Sequence, residues 1–191
     1  MASIGSDAAK CAVLGAQQLT DCLSRVNESQ LDALGEAILS ADRIFVMGAG
    51  RSLLALRAIA MRFMHLGLTA YVVGDVTTPA FGPNDLLIAG SGSGTTGSVV
   101  RVAEKAKKLG GKVACFTIKA TSTLGQLSDL VVEIPAFTTK ENYEGMEKPV
   151  LAGGSEFEQS ILLLGDALVN PLGERLSIPT DEAFRLHANL E

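Results

Sequence analysis

With 191 residues, 47% of them hydrophobic and 19% charged, and with 20 glycines, the chain has the size and composition of one α/β domain with a substantial core. Its net charge of −5 and isoelectric point near 5.1 exclude a protein that grips nucleic-acid backbone by bulk charge, which needs clustered Lys and Arg. Cys11, Cys22 and Cys115 are odd in number and lack metal-site spacing, so they imply reduced thiols of a cytoplasmic protein; the sequence signals neither a signal peptide nor a membrane span.

Taken in chain order, residues 6–25 and 28–41 read as N-terminal helices, the second entered at Asn27 with Gln30 three residues on, a variant of the capping box. "RIFVM" (43–47) is a short buried strand, followed by "GAGRS" and a helix over about 52–66. "TAYVVG" (69–74) and "DLLIAG" (85–90) are the next two strands, and the helix over about 95–109 ends at Gly110 and Gly111, a natural C-cap. "KVACFTI" (112–118) and "LVVEI" (130–134) complete five strands. An irregular stretch, 135–155, has the length of a functional loop. A helix over 156–170, stopped by Pro171, and a last short helix over about 180–188 close the chain. Strands alternating with helices of this length pair in parallel through right-handed crossovers. The expected product is a single domain over residues 1–191 built on a doubly wound sheet.

In such folds ligands lie beyond the carboxyl ends of the strands, where helix N-termini favour anions. Two loops reach that edge: "GAGRS" after the first strand and "SGSGTTGS" (91–98) after the third. In the second, Gly92 and Gly94 allow close backbone approach, while Ser91, Ser93, Thr95 and Thr96 offer hydroxyls to phosphate oxygens. The plainer alternative is that these residues only cap the following helix. Gly48, Gly50 and Asp75 imitate a dinucleotide-binding fingerprint, but Leu53 stands where a third Gly or Ala is needed. A phosphate-binding loop of the G-x-x-x-x-G-K-[ST] kind does not occur.

One misfit marks the helix over 156–170. At 3.6 residues per turn, Phe157, Ile161, Leu162, Leu164, Leu168 and Val169 define an apolar arc, and Glu158 falls inside it while Glu156, Gln159 and Asp166 fall outside. A carboxylate so placed faces the protein, where desolvation raises its pKa and suits it to proton transfer. Equally, it is a structural partner for Arg51, Arg57 or Arg62. Arg51, at the first strand-to-helix turn, is positioned to hold a phosphate, stabilise a developing enediolate, or pair with an acid. The two histidines are His65, read as structural, and His187, read as either a packing residue or a proton-transfer group. Without a third histidine or a suitably spaced cysteine, no metal site is expected.

The segments "GAGRSLLALRAIAMRFMHLG", "VVGDVTTPA", "LLIAGSGSGTTGSVV", "GSEFEQ" and "HANLE" resemble the sugar isomerase (SIS) domain family, and within it the 6-phospho-3-hexuloisomerases of the ribulose monophosphate pathway. The match covers nearly all of the chain from about residue 40. One departure is the run "KPVLAGGSEFE", where similar proteins carry a Pro-Met-Gly type of run before the Phe-Glu pair.

The resemblance implies a flavodoxin-like three-layer α/β/α sandwich with a five-stranded parallel sheet. It also implies a homotetramer with active sites near subunit boundaries and no cofactor. By likeness, Ser52, Ser91, Ser93 and Thr96 hold the sugar phosphate, Glu158 is the catalytic carboxylate, and His187 reaches an active site from a neighbouring chain. The expected reaction interconverts 3-hexulose 6-phosphate and fructose 6-phosphate through a cis-enediol, with Glu158 as base, His187 assisting and Arg51 stabilising charge. Three alternatives remain at this level: an isomerase of arabinose 5-phosphate or sedoheptulose 7-phosphate, a phosphosugar sensor without turnover, and a nucleotide-cofactor enzyme. A sensor that regulates transcription would carry a DNA-binding domain, and residues 1–42 are not basic. Glu158 separates isomerase from sensor, and Leu53 counts against the nucleotide enzyme.

Overall fold

Short β-branched and aromatic runs bounded by charge or glycine become five strands in the computed structural model, which describes residues 3–137, 149–151, 153, 155–178 and 186–190. They are β1 (Arg43–Gly48), β2 (Ala70–Val72), β3 (Asp85–Gly90), β4 (Lys112–Thr117) and β5 (Leu130–Glu133). All pairings are parallel, in the order β2-β1-β3-β4-β5, which is the flavodoxin-like order with its switch point between β1 and β3. The helices are α1 (Ile4–Leu23), α2 (Glu28–Ser40), α3 (Gly50–His65), α4 (Gly97–Lys108), α5 (Thr123–Leu127) and α6 (Glu156–Arg175).

Because successive side chains of a strand point to opposite faces, the apolar runs feed two cores. Ile44, Val46, Leu86, Ile88, Ala114 and Phe116 pack under α2, α3 and α6, whereas Phe45, Leu87, Ala89, Val113 and Cys115 pack under α4 and α5. A sheet buried on both faces explains why its strands read as continuous apolar runs rather than alternating ones. Burial pushes the Cys22 and Cys115 thiols up to about 11, leaving both protonated and inert at neutral pH.

Register between the two central strands is pinned at their N-terminal ends. Arg43 and Asp85 face each other across the ladder and form a bidentate pair, Nε to Oδ1 at 2.8 Å and Nη2 to Oδ2 at 2.7 Å. The Gly82 N–H also donates to Asp85 Oδ2 at 2.6 Å, so the buried carboxylate is paired and hydrogen-bonded. Five positions later in the same register Gly48 lies opposite Gly90, at the edge where the chain turns toward its ligand loops.

Several expected details differ. Asn27 caps α2 by accepting from the Ser29 N–H at 2.9 Å, but Gln30 does not reach back to complete a capping box; its Oε1 instead accepts from the Glu133 N–H of β5 at 2.9 Å. Pro171 does not stop α6, which runs on to Arg175. Leu172 and Gly173 beyond it are buried, and that burial holds the last turn despite the missing N–H. Leu162 is exposed rather than on the buried arc. The short helix α5, entered at Ser122, spans too few residues to show a helical period. Of the expected final helix, residues 180–185 lie outside the described residues, and Leu186–Leu190 form no α-helix. Among the described residues no helix is long and apolar enough to cross a membrane.

The α3–α6 contact depends on a missing side chain. A Cβ at Gly165 would lie 2.2 Å from Ile59 Cγ1, so the two helices approach more closely than any larger residue permits. Gly165→Ala is expected to lower the denaturation free energy by about 1–3 kcal/mol through overpacking. Urea-unfolding midpoints of the two proteins test this; an unchanged midpoint would show that Ile59 moves aside without loss.

Candidate active site

At the carboxyl ends of β1 and β3 lies a cavity of about 440 Å³. Its wall contains Ser52, Ser91, Ser93, Thr96 and Glu158, together with Ala49, Gly50 and Gly92. Thus five of the residues singled out in the sequence, from three separate segments, meet at the switch point of the sheet. The lining also includes the apolar Ile118, Phe137 and Phe157. Phe157 stands on the apolar arc read from the sequence, whereas Ile118 and Phe137 carried no signal of a site there, because an apolar residue at a strand end or loop looks the same whether it faces a core or a ligand.

Helix N-termini set the electrostatics. α1, α2 and α5 are each capped by a side chain, from Ser3, Asn27 and Ser122. The helices that begin at the cavity, α3, α4 and α6, have no side-chain cap at their N-cap residues Ala49, Thr96 and Ser155. Thr96, the residue best placed to cap α4, instead shares a hydrogen bond of 2.9 Å with Ser91 across the loop. Ser93 Oγ accepts only a long contact, 3.4 Å, from the Thr95 N–H, and a bond of 3.2 Å from the Thr95 hydroxyl. The capping explanation of the hydroxyl run therefore fails for α4. Backbone N–H groups and hydroxyls are left directed at one space, which is the arrangement that holds an anion without a net positive charge.

Backbone shape depends on glycine at two points here. A Cβ at Gly48 would sit 2.9 Å from the Leu53 backbone nitrogen, so α3 can begin close over the end of β1 only because that side chain is absent. Gly94 has φ +62°, the left-handed region that favours glycine.

Glu158, in the first turn of α6, reaches the cavity with a side chain 15% exposed. Its Oε1 accepts from Arg51 Nε at 2.6 Å, and Arg51 itself is 63% exposed. Both readings of this carboxylate made from sequence coexist: it faces a ligand cavity and it has an arginine partner. Arg51 is placed beside the cavity through Glu158 rather than in its lining. The other candidate arginines are engaged elsewhere, Arg57 with Asp75 and Arg62 with Asp166. Asp75, the acid that imitated a ribose-binding residue, is thus an exposed ion-pair partner.

His187 is not brought to the cavity lining of its own chain. Its ring stacks on that of His65 with centroids 3.9 Å apart. His65 is buried, in keeping with its structural reading, and its Nδ1 has no hydrogen-bond partner among the described residues. Two residues before Glu158, Glu156 Oε2 accepts from the Phe137 N–H at 2.7 Å and ties that lining residue to the start of α6.

Fold and site together define a doubly wound α/β domain with a hydroxyl-rich loop and a carboxylate at the cavity beyond the ends of its strands. The SIS domain family model matches residues 37–146, more than half of the chain, and this protein belongs to the SIS domain family. A protein of Mycobacterium gastri named 3-hexulose-6-phosphate isomerase is 40% identical over 188 residues, covering 98% of this chain and 94% of the relative. One of the same name from Bacillus subtilis is 40% identical over 174 residues, covering 91% and 94%. A solved structure from Methanococcus jannaschii, for which a 3-hexulose-6-phosphate isomerase function was inferred, superposes with a TM-score of 0.77 at 31% identity over 96% of this chain and 98% of that one.

Burial pushes the His65 imidazole below its ordinary value, with the His187 ring and the Arg62 charge acting in the same direction. The unfolded chain then binds a proton at a higher pH than the folded one, so stability falls as pH drops through about 6.5. Unfolding free energies measured between about pH 8 and about pH 5 are expected to fall on the acid side, with a shallower fall in His65→Gln. Equal pH dependence in both proteins would place the acid sensitivity elsewhere.

Proposed function

We propose that this chain is a 6-phospho-3-hexuloisomerase that interconverts 3-hexulose 6-phosphate and fructose 6-phosphate. The observation that carries the reading is one cavity whose lining brings the hydroxyls of Ser52, Ser91, Ser93 and Thr96 together with an arginine-paired carboxylate, Glu158. The curated relatives of that name, similar over almost their full length, support the choice of sugar. Ser52, Ser91, Ser93 and Thr96, with the N-termini of α3 and α4, hold the phosphate at C6. Binding energy spent there, away from the reacting carbons, fixes C2 and C3 against the carboxylate.

Moving the carbonyl from C3 to C2 removes the proton on C2, forms a cis-enediol, and delivers a proton to C3. Glu158 takes the proton from C2 and returns it to C3 on the same face of the sugar, while the hydroxyl proton on O2 passes to O3. Arg51 holds the carboxylate in place and supplies positive charge as the enediolate develops. The step is redox-neutral and requires no cofactor. The apolar wall of Ile118, Phe137 and Phe157 reduces water around the intermediate.

His187 enters this proposal through a neighbouring copy, since within its own chain it lies on His65. Assembly as a homotetramer, with active sites near subunit boundaries, belongs to the same reading. Apolar side chains left exposed on adjoining helices support it: Leu54 and Met61 on α3, and Leu162 and Leu163 on α6. A cytoplasmic setting and a place in the ribulose monophosphate pathway complete the proposal.

Incubation with fructose 6-phosphate in D₂O is expected to introduce deuterium at carbon and produce the 3-ketose, both read by NMR. Binding of the sugar phosphate without exchange would reassign the chain as a sensor or as an isomerase of another sugar. Glu158→Gln is expected to keep phosphate binding and lower kcat by about a hundredfold or more; near-normal turnover would remove Glu158 from the mechanism. Ser93→Ala is expected to raise KM about five- to tenfold with little change in kcat, and an unchanged KM would remove that hydroxyl from the cradle.

A further inference from the structure

We infer that Thr117 and Ser122 are positioning residues for the phosphate loop: neither is among the residues that line the cavity, yet they set the backbone conformation from which the loop binds. This rests on the reading of residues 91–96 as a phosphate cradle.

The loop is a strand-to-helix turn whose middle residue has an unusual backbone. Gly94 adopts φ +62°, donates its N–H to the Ser91 carbonyl at 3.0 Å, and accepts from the Leu124 N–H at 2.8 Å. Its Cα lies hard against a second layer of hydroxyls, since a Cβ there would fall 2.0 Å from Ser122 Oγ and 3.0 Å from Thr117 Oγ1. Those hydroxyls are 3.2 Å apart. Ser122 Oγ also accepts from the Gly125 N–H at 3.2 Å as the cap of α5.

The layer behind the loop is itself anchored. Thr117 is fully buried at the end of β4. The Ser91 N–H donates to Phe116 O and the Ile118 N–H donates to Gly92 O, both at 3.1 Å, so loop and strand are laced on either side of Thr117. From β5, Glu133 Oε2 accepts from the Ala120 N–H at 2.6 Å and fixes the turn leading to Ser122. Leu124, also fully buried, packs with Val99 and Ala103 of α4. The short helix α5 thus acts as a wedge. It presents the Leu124 N–H and the Ser122 hydroxyl to Gly94 and adds to the loop's own hydrogen bonds in holding this conformation.

The hydroxyl pair, rather than the bulk of these side chains, should then govern affinity for phosphate. Thr117→Val removes the hydroxyl with little change of shape, Thr117→Ser restores it, and Ser122→Ala removes its partner. Direct titration with inorganic phosphate, followed by steady-state kinetics with fructose 6-phosphate, separates the outcomes. Thr117→Val and Ser122→Ala are expected to weaken phosphate binding and raise KM about five- to tenfold, with kcat within about twofold and Thr117→Ser close to the original protein. Original affinity for phosphate in folded Thr117→Val overturns the inference, as does a fall in kcat at unchanged KM. Should Ser122→Ala fail to fold through loss of its cap, the Thr117 pair of variants decides alone. Failure of the original protein to bind phosphate overturns the cradle reading and this inference with it, whereas binding by the original and by Thr117→Val alike overturns only the role of the hydroxyls.

Discussion

α3 descends onto the ends of β1 and β3 because two glycines leave it room. A Cβ at Gly48 would meet the Leu53 backbone at 2.9 Å, and one at Gly90 would meet Leu56 Cδ1 at 2.9 Å. These glycines face each other in the ladder at the point where the sheet changes direction. Everything polar in the cavity follows from that close approach. It sets the uncapped N-terminus of α3 beside that of α4, and it places Arg51, in the first turn of α3, within reach of Glu158 in the first turn of α6.

A chain with a net charge of −5 can hold a phosphate because the favourable field is local. Backbone dipoles and hydroxyls need no counter-ion and stay fixed when the ligand is absent, so little reorganisation is required on binding. Arg51, beside the cavity, is already paired with the Glu158 carboxylate. The proposed reaction thus assigns anion binding and proton transfer to separate groups of one cavity, whose lining also includes the apolar Ile118, Phe137 and Phe157. α1, α2 and α5 are capped by side chains of their own N-cap residues, while α3, α4 and α6 have no side-chain cap hydrogen bond there. Capping residues stabilise helices, so leaving three without them is consistent with a site that gives up some local stability for function.

The five strands and their parallel order were legible in the sequence because each is a short apolar run bounded by glycine or charge. A run feeding two cores has few alternative conformations. The place of the loop after β3 at a cavity was legible for the same kind of reason, since hydroxyls and glycines seldom crowd a strand-to-helix turn without a use. Glu158 stood out as a carboxylate on an apolar arc. Leu162, on that same arc by periodicity, turned out to be exposed, because a helix wheel knows the direction of a side chain but not whether a neighbouring layer covers it.

What the sequence by itself determined is therefore the five strands, the five longer helices, and the glycine and hydroxyl content of the loop after β3, all of which depend on residues close together in the chain. Tertiary structure alone decided the partnerships across it: Arg51 with Glu158, Gln30 with the Glu133 backbone rather than with its own helix, and Ser122 and Thr117 behind Gly94. It also decided that Pro171 sits within α6, because Leu172 beyond it is buried. Local pattern encodes which groups are present and how an element repeats; contacts between residues distant in sequence depend on how elements pack, and packing is set by absent side chains as much as by those present.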